Sequence, residues 1–191
     1  MRVGASLHKR LFIVATFACA WFCCGSAWAE PRPGDHAPVI IGETVDGQPF
    51  DSSAVAGQVL VINFWASWCG PCRVEMPALD AVARAHRGQG LVLVGISLDN
   101  PHDRDAVVRA MQGLSYQTLL SRQSRMGGLQ APLTLPQTVV IDRSGIVRAV
   151  FEGGAPLTAE TLEAAVAPLL RDSGEAPSFI QIQRGLESGR H

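Results

Sequence analysis

The stretch "NFWASWCGPCRVEMP", Asn63 to Pro77, places two cysteines three positions apart, at the junction of two patterns. The run that leads into it, "QVLVINFWA", is continuously apolar, which is typical of a central strand buried on both faces. From about 71 to 86, apolar residues recur at helical spacing. The pattern therefore predicts that Cys69 lies at the mouth of a helix and Cys72 one turn inside it.

The rest of the chain predicts an α/β architecture. A hairpin turned at Asp46-Gly47 comes first, and a second buried strand, "LVLVGISLD", follows the helix. A charged helical insert, "PHDRDAVVRAMQG", precedes a short strand at 116–120 and a further helix at 121–129. The strands "QTVVID" and "IVRAVFEGG" and a helix capped by Thr158 close the order. This order indicates a central mixed sheet flanked by helices.

Composition and the two termini bound the kind of protein. With 191 residues, 47% of them hydrophobic, and a net charge of -1, the chain fits one compact domain, predicted over 34–170, without a basic face for nucleic acid. Residues 1–29 combine a positive start, a short apolar run and Ala27-Trp28-Ala29, and they predict a signal peptide cut before Glu30. An uncleaved membrane anchor is the alternative. Residues 171–191 are polar and are predicted to be a disordered tail.

The cysteine count favours redox chemistry. Three of the five cysteines lie in the predicted signal peptide, which leaves Cys69 and Cys72. A structural disulfide framework would need several wider pairs, and a loop this short closes little chain entropy. A structural zinc site needs four ligands, and no second cysteine pair remains outside the predicted signal peptide. His36, His86 and His102 lack paired spacing and are predicted at the surface, although copper binding with one of them stays open as an alternative.

Several motifs carry a family resemblance. "FWASWCGPC" after a buried strand, "LPQTVVIDRSG" later in the chain, and the closing hairpin and helix resemble the thioredoxin fold. More closely, the chain resembles the exported TlpA/ResA-like thiol-disulfide oxidoreductases over roughly 34–170. The markers of that subgroup are the opening "APVIIGETVDGQPF" hairpin, Asn63, Glu75, and the insert between Asp99 and Leu120. W-C-G-P-C together with the second proline motif is a specific signal.

The position of the two cysteines predicts their roles. Thiol exchange needs a thiolate that attacks a disulfide and a second thiol that resolves the mixed disulfide. The unsatisfied N–H groups and the dipole of a helix N-terminus stabilise a thiolate at Cys69, so Cys69 is the predicted nucleophile and Cys72 the resolving thiol. Pro71 suits the first turn of a helix. Gly70-Pro71 matches thioredoxin, with a potential near about -270 mV, and lacks a thiolate-stabilising histidine, so we expect a reductase.

Two acids are candidates for supporting roles. Glu75 lies three residues beyond Cys72 and hence on the same side of the helix. Thioredoxin has a buried aspartate where Asn63 stands, and asparagine cannot ionise. The resemblance implies that Glu75 accepts the proton of Cys72, if burial raises its pKa; the alternative is a solvated glutamate paired with Arg73. Asp99, after the second strand, is expected either near the site or as a helix cap.

The resemblance also supplies substrate-binding residues. Pro136 resembles the cis-proline that faces the disulfide in this family, and its turn would leave the backbone of Leu135 free to pair with an extended substrate. Pro132 is a rival for that role. Trp68 is predicted to shield the disulfide and to offer apolar contact area to partners.

The resemblance implies an exported, periplasmic protein-disulfide reductase whose only redox group is its own disulfide. Its substrates would be apocytochrome c or copper-site proteins, and its electrons would come from a membrane thiol reductase. A general disulfide oxidase or isomerase is the alternative. A peroxidase of the peroxiredoxin type shares the fold, but it needs a proline and a threonine where Ile62 and Ala66 stand.

Overall fold

The computed structural model describes residues 30–154 and 156–172. The predicted signal peptide and the predicted tail from 173 onward lie outside these ranges. Arg171, the first residue assigned to that tail, is the last residue of the closing helix. Within the two described ranges, none of the helices has the length and apolar character that crossing a membrane requires.

The strands and helices follow the predicted order, with one exception described below. The strands are β1 (Ile41–Glu43), β2 (Pro49–Asp51), β3 (Val59–Trp65), β4 (Leu91–Ser97), β5 (Gln117–Leu120), β6 (Gln137–Ile141) and β7 (Val147–Glu152). The helices are α1 (Gly70–Ala85), α2 (Arg104–Ala110) and α3 (Ala159–Arg171). β1 and β2 form a separate antiparallel hairpin.

The central sheet has the strand order β5-β4-β3-β6-β7. β3 pairs in parallel with β4, and β4 with β5, whereas β6 runs antiparallel to both β3 and β7. Every residue of β3 is buried, as its continuous apolar run predicts. The predicted fold class, a mixed sheet flanked by helices with an N-terminal hairpin, is confirmed.

Alternation along the strands divides the core between the two faces of the sheet. Val61 and Trp65 of β3 share one cluster with the buried apolar side chains of all three α-helices. Leu60, Ile62 and Phe64 belong to the other cluster, with Ile40 and Phe50 from the N-terminal segment and Leu129 from the loop before β6.

The predicted helix at 121–129 is wrong. Only a single 3-10 turn forms, at Ser121–Gln123. The chain is extended at Ser124 and Arg125, because Arg125 exchanges two backbone hydrogen bonds with Ile41, at 2.8 and 3.0 Å, and a turn follows at 127–128. Gly127 has a positive φ of 58°, and a Cβ atom there would collide with the carbonyl oxygen of Val39. Pairing with the N-terminal segment therefore replaces the helix.

His86 is not the free surface residue that its sequence context predicts. It follows the C-terminus of α1 and is half-buried, and its Nε2 lies 2.8 Å from Oε2 of Glu163 on α3. This contact joins the two helices. His36 and His102 are exposed, as predicted.

Candidate active site

A tight turn presents the first cysteine. β3 ends at Trp65, and the N–H of Cys69 donates to the carbonyl oxygen of Ala66 at 3.0 Å. Cys69 is the N-cap of α1, and its Sγ accepts a hydrogen bond from the N–H of Cys72 at 3.3 Å. The first cysteine sulfur therefore lies on the unsatisfied N–H groups of the helix, where a thiolate is stabilised.

The two cysteines form a disulfide, with an S–S distance of 1.98 Å. Cys72 is fully buried, and Cys69 retains a small exposed fraction of 6%. Gly70 and Pro71 are exposed at the start of α1. This difference in exposure agrees with the predicted division of labour, in which a partner reaches Cys69 first.

Trp68 precedes the disulfide and is 69% exposed. Most of its indole ring therefore faces solvent, which fits the predicted apolar contact area for partners.

Glu75 is buried, with only 3% of its surface exposed. Its Oε1 accepts from Nδ2 of Asn63 at 3.0 Å, and its Oε2 accepts from the N–H of Leu157 at 3.2 Å. Burial raises the pKa of the Glu75 carboxyl, and the two hydrogen bonds oppose that effect. The alternative of a solvated glutamate paired with Arg73 is wrong. The condition for a role in proton transfer, burial with a raised pKa, is met.

Asn63 orients the acid. It lies on β3, is fully buried, and donates from Nδ2 both to Glu75 and to Oγ1 of Thr138, each at 3.0 Å. Thr138 is its neighbour across the β3–β6 pair. The position that holds a carboxylate in thioredoxin therefore holds a neutral donor here, and this donor fixes the carboxyl of Glu75.

The peptide bond between Leu135 and Pro136 is cis, whereas no cis bond occurs at Pro132. The prediction that Pro136 is the cis-proline is confirmed, while its contact with substrate stays a prediction. Leu135 is half-buried and packs against both core clusters, one of which contains Cys69 and Cys72.

Pro136 and Glu75 share a surface cavity of about 500 Å³. Its walls come from the start of β6, the end of β7 and the N-terminus of α3. They are formed by Glu75, Pro136, Thr138, Val150, Phe151, Glu152, Gly153, Pro156, Leu157, Thr158 and Thr161. The buried acid thus borders a cavity that also reaches the cis-proline.

Asp99 lies near the site and is not a helix cap. Asn100, not Asp99, is the N-cap of the short 3-10 turn that follows, and no side chain caps that turn. The Asp99 carboxylate instead binds Ser67, two residues before Cys69, through both the backbone N–H at 2.8 Å and Oγ at 2.7 Å.

The sequence did not indicate two residues that complete the site. Thr138 and Leu157 hold Asn63 and Glu75, but they lie 75 and 82 positions away along the chain. Neither a threonine in a strand nor a leucine N–H carries a local signal of such a contact. Among residues 30–154 and 156–172, no group of three or more His, Cys, Asp or Glu side chains could hold a metal ion.

Residues 33–150 match the AhpC/TSA family. The sporulation thiol-disulfide oxidoreductase A of Bacillus subtilis (strain 168) is 28% identical over 163 residues, covering 82% of this chain and 96% of that protein. The thiol-disulfide oxidoreductase ResA of Geobacillus thermodenitrificans (strain NG80-2) is 25% identical over 120 residues, covering 63% of this chain and 69% of that protein.

A solved structure of a related protein shares the fold. The crystal structure of a thiol:disulfide interchange protein, a thioredoxin family protein from Chlorobium tepidum TLS, superposes with a TM-score of 0.62 at 32% identity. The match covers 74% of this chain and 99% of that one. The resemblance to TlpA/ResA-like proteins is confirmed. The chain therefore belongs to the AhpC/TSA family, has the thioredoxin fold, and is a thiol-disulfide oxidoreductase.

Proposed function

We propose that this protein is an exported protein-disulfide reductase that works through Cys69 and Cys72. The observation that carries the proposal is the arrangement on α1. A disulfide lies at the helix N-terminus, and one turn further on Glu75 is buried with a raised pKa. This arrangement joins a nucleophile, a resolving thiol and a proton acceptor on one rigid element.

The reaction runs in two exchanges. The Cys69 thiolate attacks one sulfur of a substrate disulfide, and the other substrate sulfur leaves as a thiolate. Cys72 then attacks Sγ of Cys69, the mixed disulfide breaks, and the substrate is released with both of its sulfurs reduced. Glu75 accepts the proton that Cys72 loses. The Cys69–Cys72 disulfide formed at the end needs two electrons from a thiol reductase before the next cycle.

The dipeptide between the cysteines supports the reducing direction. Neither Gly70 nor Pro71 carries a group that stabilises the Cys69 thiolate, so the dithiol gives up its electrons readily. The test is the equilibrium of the purified protein with a glutathione or dithiothreitol series. We expect a reduction potential of about -270 mV, the value of thioredoxin. A reduction potential of about -120 mV, the value of DsbA, would overturn the reductase proposal in favour of an oxidase or isomerase.

The substrates we propose are the haem-site cysteines of apocytochrome c or the cysteines of copper-site proteins, in the periplasm, with a membrane thiol reductase as electron donor. The resemblance to TlpA/ResA-like proteins supports this assignment. Cys72→Ser leaves Cys69 able to attack but leaves the mixed disulfide unresolved, so it accumulates covalent complexes with substrates. Cys69→Ser is the matched control and should trap none. Equal trapping by both variants would contradict the assignment of Cys69 as nucleophile.

A further inference from the structure

Asp99 is a buried carboxylate that takes no part in the proposed reaction. It follows β4 and is 2% exposed. Its Oδ2 accepts from the N–H of Ser67 at 2.8 Å and from Oγ of Ser97 at 2.6 Å, and its Oδ1 accepts from Oγ of Ser67 at 2.7 Å. Such a set of donors satisfies an anion taken out of water.

The bonds to Ser67 extend the sheet beyond its last strand pair. β3 and β4 are parallel, with Trp65 opposite Ser97, and the N–H of Leu98 donates to the carbonyl oxygen of Trp65 at 2.9 Å. Beyond that point the ladder ends and the chain of β3 turns toward α1. The side chain of Asp99 takes the place of the next strand and accepts the N–H of Ser67, which would otherwise lack a ladder partner.

Ser67 lies inside the turn that presents the nucleophile. The N–H of Cys69 closes this turn on the carbonyl oxygen of Ala66, with Ser67 and Trp68 between them. Packing contributes little to holding the outer part of the turn, because Trp68 is 69% exposed and Gly70 is exposed as well. Ala66 and Cys69, at the two ends of the turn, are buried in the core, so packing holds the ends while the hydrogen bonds to Asp99 hold Ser67 between them.

We propose that Asp99 is a positioning residue that holds Sγ of Cys69 on the N-terminus of α1 by fixing Ser67. The proposal rests on the role of Cys69 as nucleophile. Without the restraint, the turn relaxes and Sγ leaves the N–H groups that stabilise its thiolate. Asp99 thereby acts on reactivity through the backbone and touches no substrate.

The test measures carbamidomethylation of Cys69 by iodoacetamide against pH in the reduced full chain, with Cys72→Ser as background. The reaction is followed on the Cys69 peptide by mass spectrometry, because the full chain also carries Cys19, Cys23 and Cys24. Asp99→Ala removes the bonds to Ser67, and we expect the rate to fall about tenfold at every pH below the midpoint of the profile, which is the effect of a thiol pKa raised by one unit. Asp99→Asn removes the charge but keeps an oxygen for the Ser67 N–H, so it should stay within about twofold of the unmodified residue.

The chain offers a matched control. The Asp80 carboxylate is also buried and also holds a serine, accepting from both the N–H and Oγ of Ser115 at 2.6 Å. Asp80→Ala removes this pair of serine bonds, together with the ion pair to Nε of Arg84 at 2.6 Å, and should leave the rate at Cys69 and its pH midpoint unchanged. If Asp99→Ala and Asp80→Ala leave the pH profile equally unchanged, Asp99 is only structural and the proposal fails. Equal slowing in Asp99→Asn and Asp99→Ala would overturn the proposal, because the oxygen that Asn keeps would then not hold Ser67. Faster alkylation in both variants would overturn positioning in favour of a charge effect, because the loss of a negative charge near the sulfur favours the thiolate.

If Asp99→Ala does not fold, the same alkylation measurement on Ser67→Ala tests the proposal, with Ser115→Ala as its control. Ser67→Ala removes only the Oγ bond, so we expect a slowing of about threefold, and no slowing in the control. An unchanged rate in Ser67→Ala would overturn the proposal. Alkylation by a small reagent does not depend on the protein substrate. A failure of the reductase proposal would appear in the potential and in the trapping experiment, and is thus distinguishable from a failure here.

Discussion

Replacing Asn63 with aspartate restores the acid that thioredoxin has at this position and places it against Glu75. Nδ2 of Asn63 lies 3.0 Å from Oε1 of Glu75, and both residues are buried. In Asn63→Asp, a carboxyl oxygen replaces a donor at that contact. The two carboxyl groups can share one proton in a hydrogen bond, but they repel each other once both are ionised.

The contact distance sets the size of the effect. With the two charges roughly 4 Å apart and an effective dielectric constant of about 20, the repulsion is about 4 kcal/mol. The folded variant avoids this cost by keeping one proton more than the unfolded chain. Its free energy of unfolding then falls by about 1.4 kcal/mol for each pH unit until the full cost is reached, roughly three pH units above the point where the unfolded acids ionise.

The assay is urea unfolding of the oxidised protein from pH 4 to pH 8, for Asn63→Asp, Glu75→Gln, the double variant and the unmodified chain. The double-mutant cycle removes the separate cost of burying each acid and leaves the coupling between them. We expect an unfavourable coupling that is small at pH 4 and approaches about 4 kcal/mol at pH 8. A coupling below about 1 kcal/mol at pH 8 would refute the argument, because exposed pairs give values of that size.

Three further results are expected. Because burial raises the pKa of Glu75, the stability that Glu75 contributes is fully present below the pKa of the unfolded chain and is lost as pH rises through the folded value. Glu75→Gln should therefore lose less free energy of unfolding than the unmodified protein between pH 4 and 8, measured by urea unfolding. An equal loss in both proteins would contradict the raised pKa. Pro71→His places a cationic group beside the helix N-terminus and should raise the reduction potential by about 30 mV or more, and Pro71→Ala is the uncharged control. An equal rise in both variants would contradict the electrostatic explanation. Oγ1 of Thr118 accepts from Nε1 of Trp65 at 3.0 Å in the core. Thermal unfolding should therefore show that Thr118→Val lowers the free energy of unfolding by about 1–3 kcal/mol and Thr118→Ser by much less. Equal losses in both variants would show that the hydroxyl group does not cause the effect.

The order of strands and helices and the position of the cysteine pair were predictable because their causes are local. An apolar run flanked by turns makes β3, helical spacing makes α1, and a cysteine just before that helix becomes its N-cap. The cis bond before Pro136 was predictable from family resemblance alone, since a proline by itself does not specify which isomer it takes.

The helix predicted at 121–129 does not form, because contacts between distant segments replace it. Its local pattern is compatible with a helix, but Arg125 pairs with Ile41, which lies far away in sequence. The close approach of Gly127 to Val39 belongs to the same packing. Local propensity is a weak preference, and tertiary pairing overrides it.

The sequence by itself determined that the cysteines are a redox pair at a helix N-terminus, because spacing and helix position are properties of neighbouring residues. Only the tertiary structure decided what surrounds them. The raised pKa of Glu75 needs the burial that the packed core creates, which the hydrogen bonds from Asn63 and Leu157 oppose, and the turn before Cys69 is bonded to Asp99, which follows the adjacent strand. Burial and hydrogen bonding between distant segments exist only once the chain has packed, so no local pattern could indicate them.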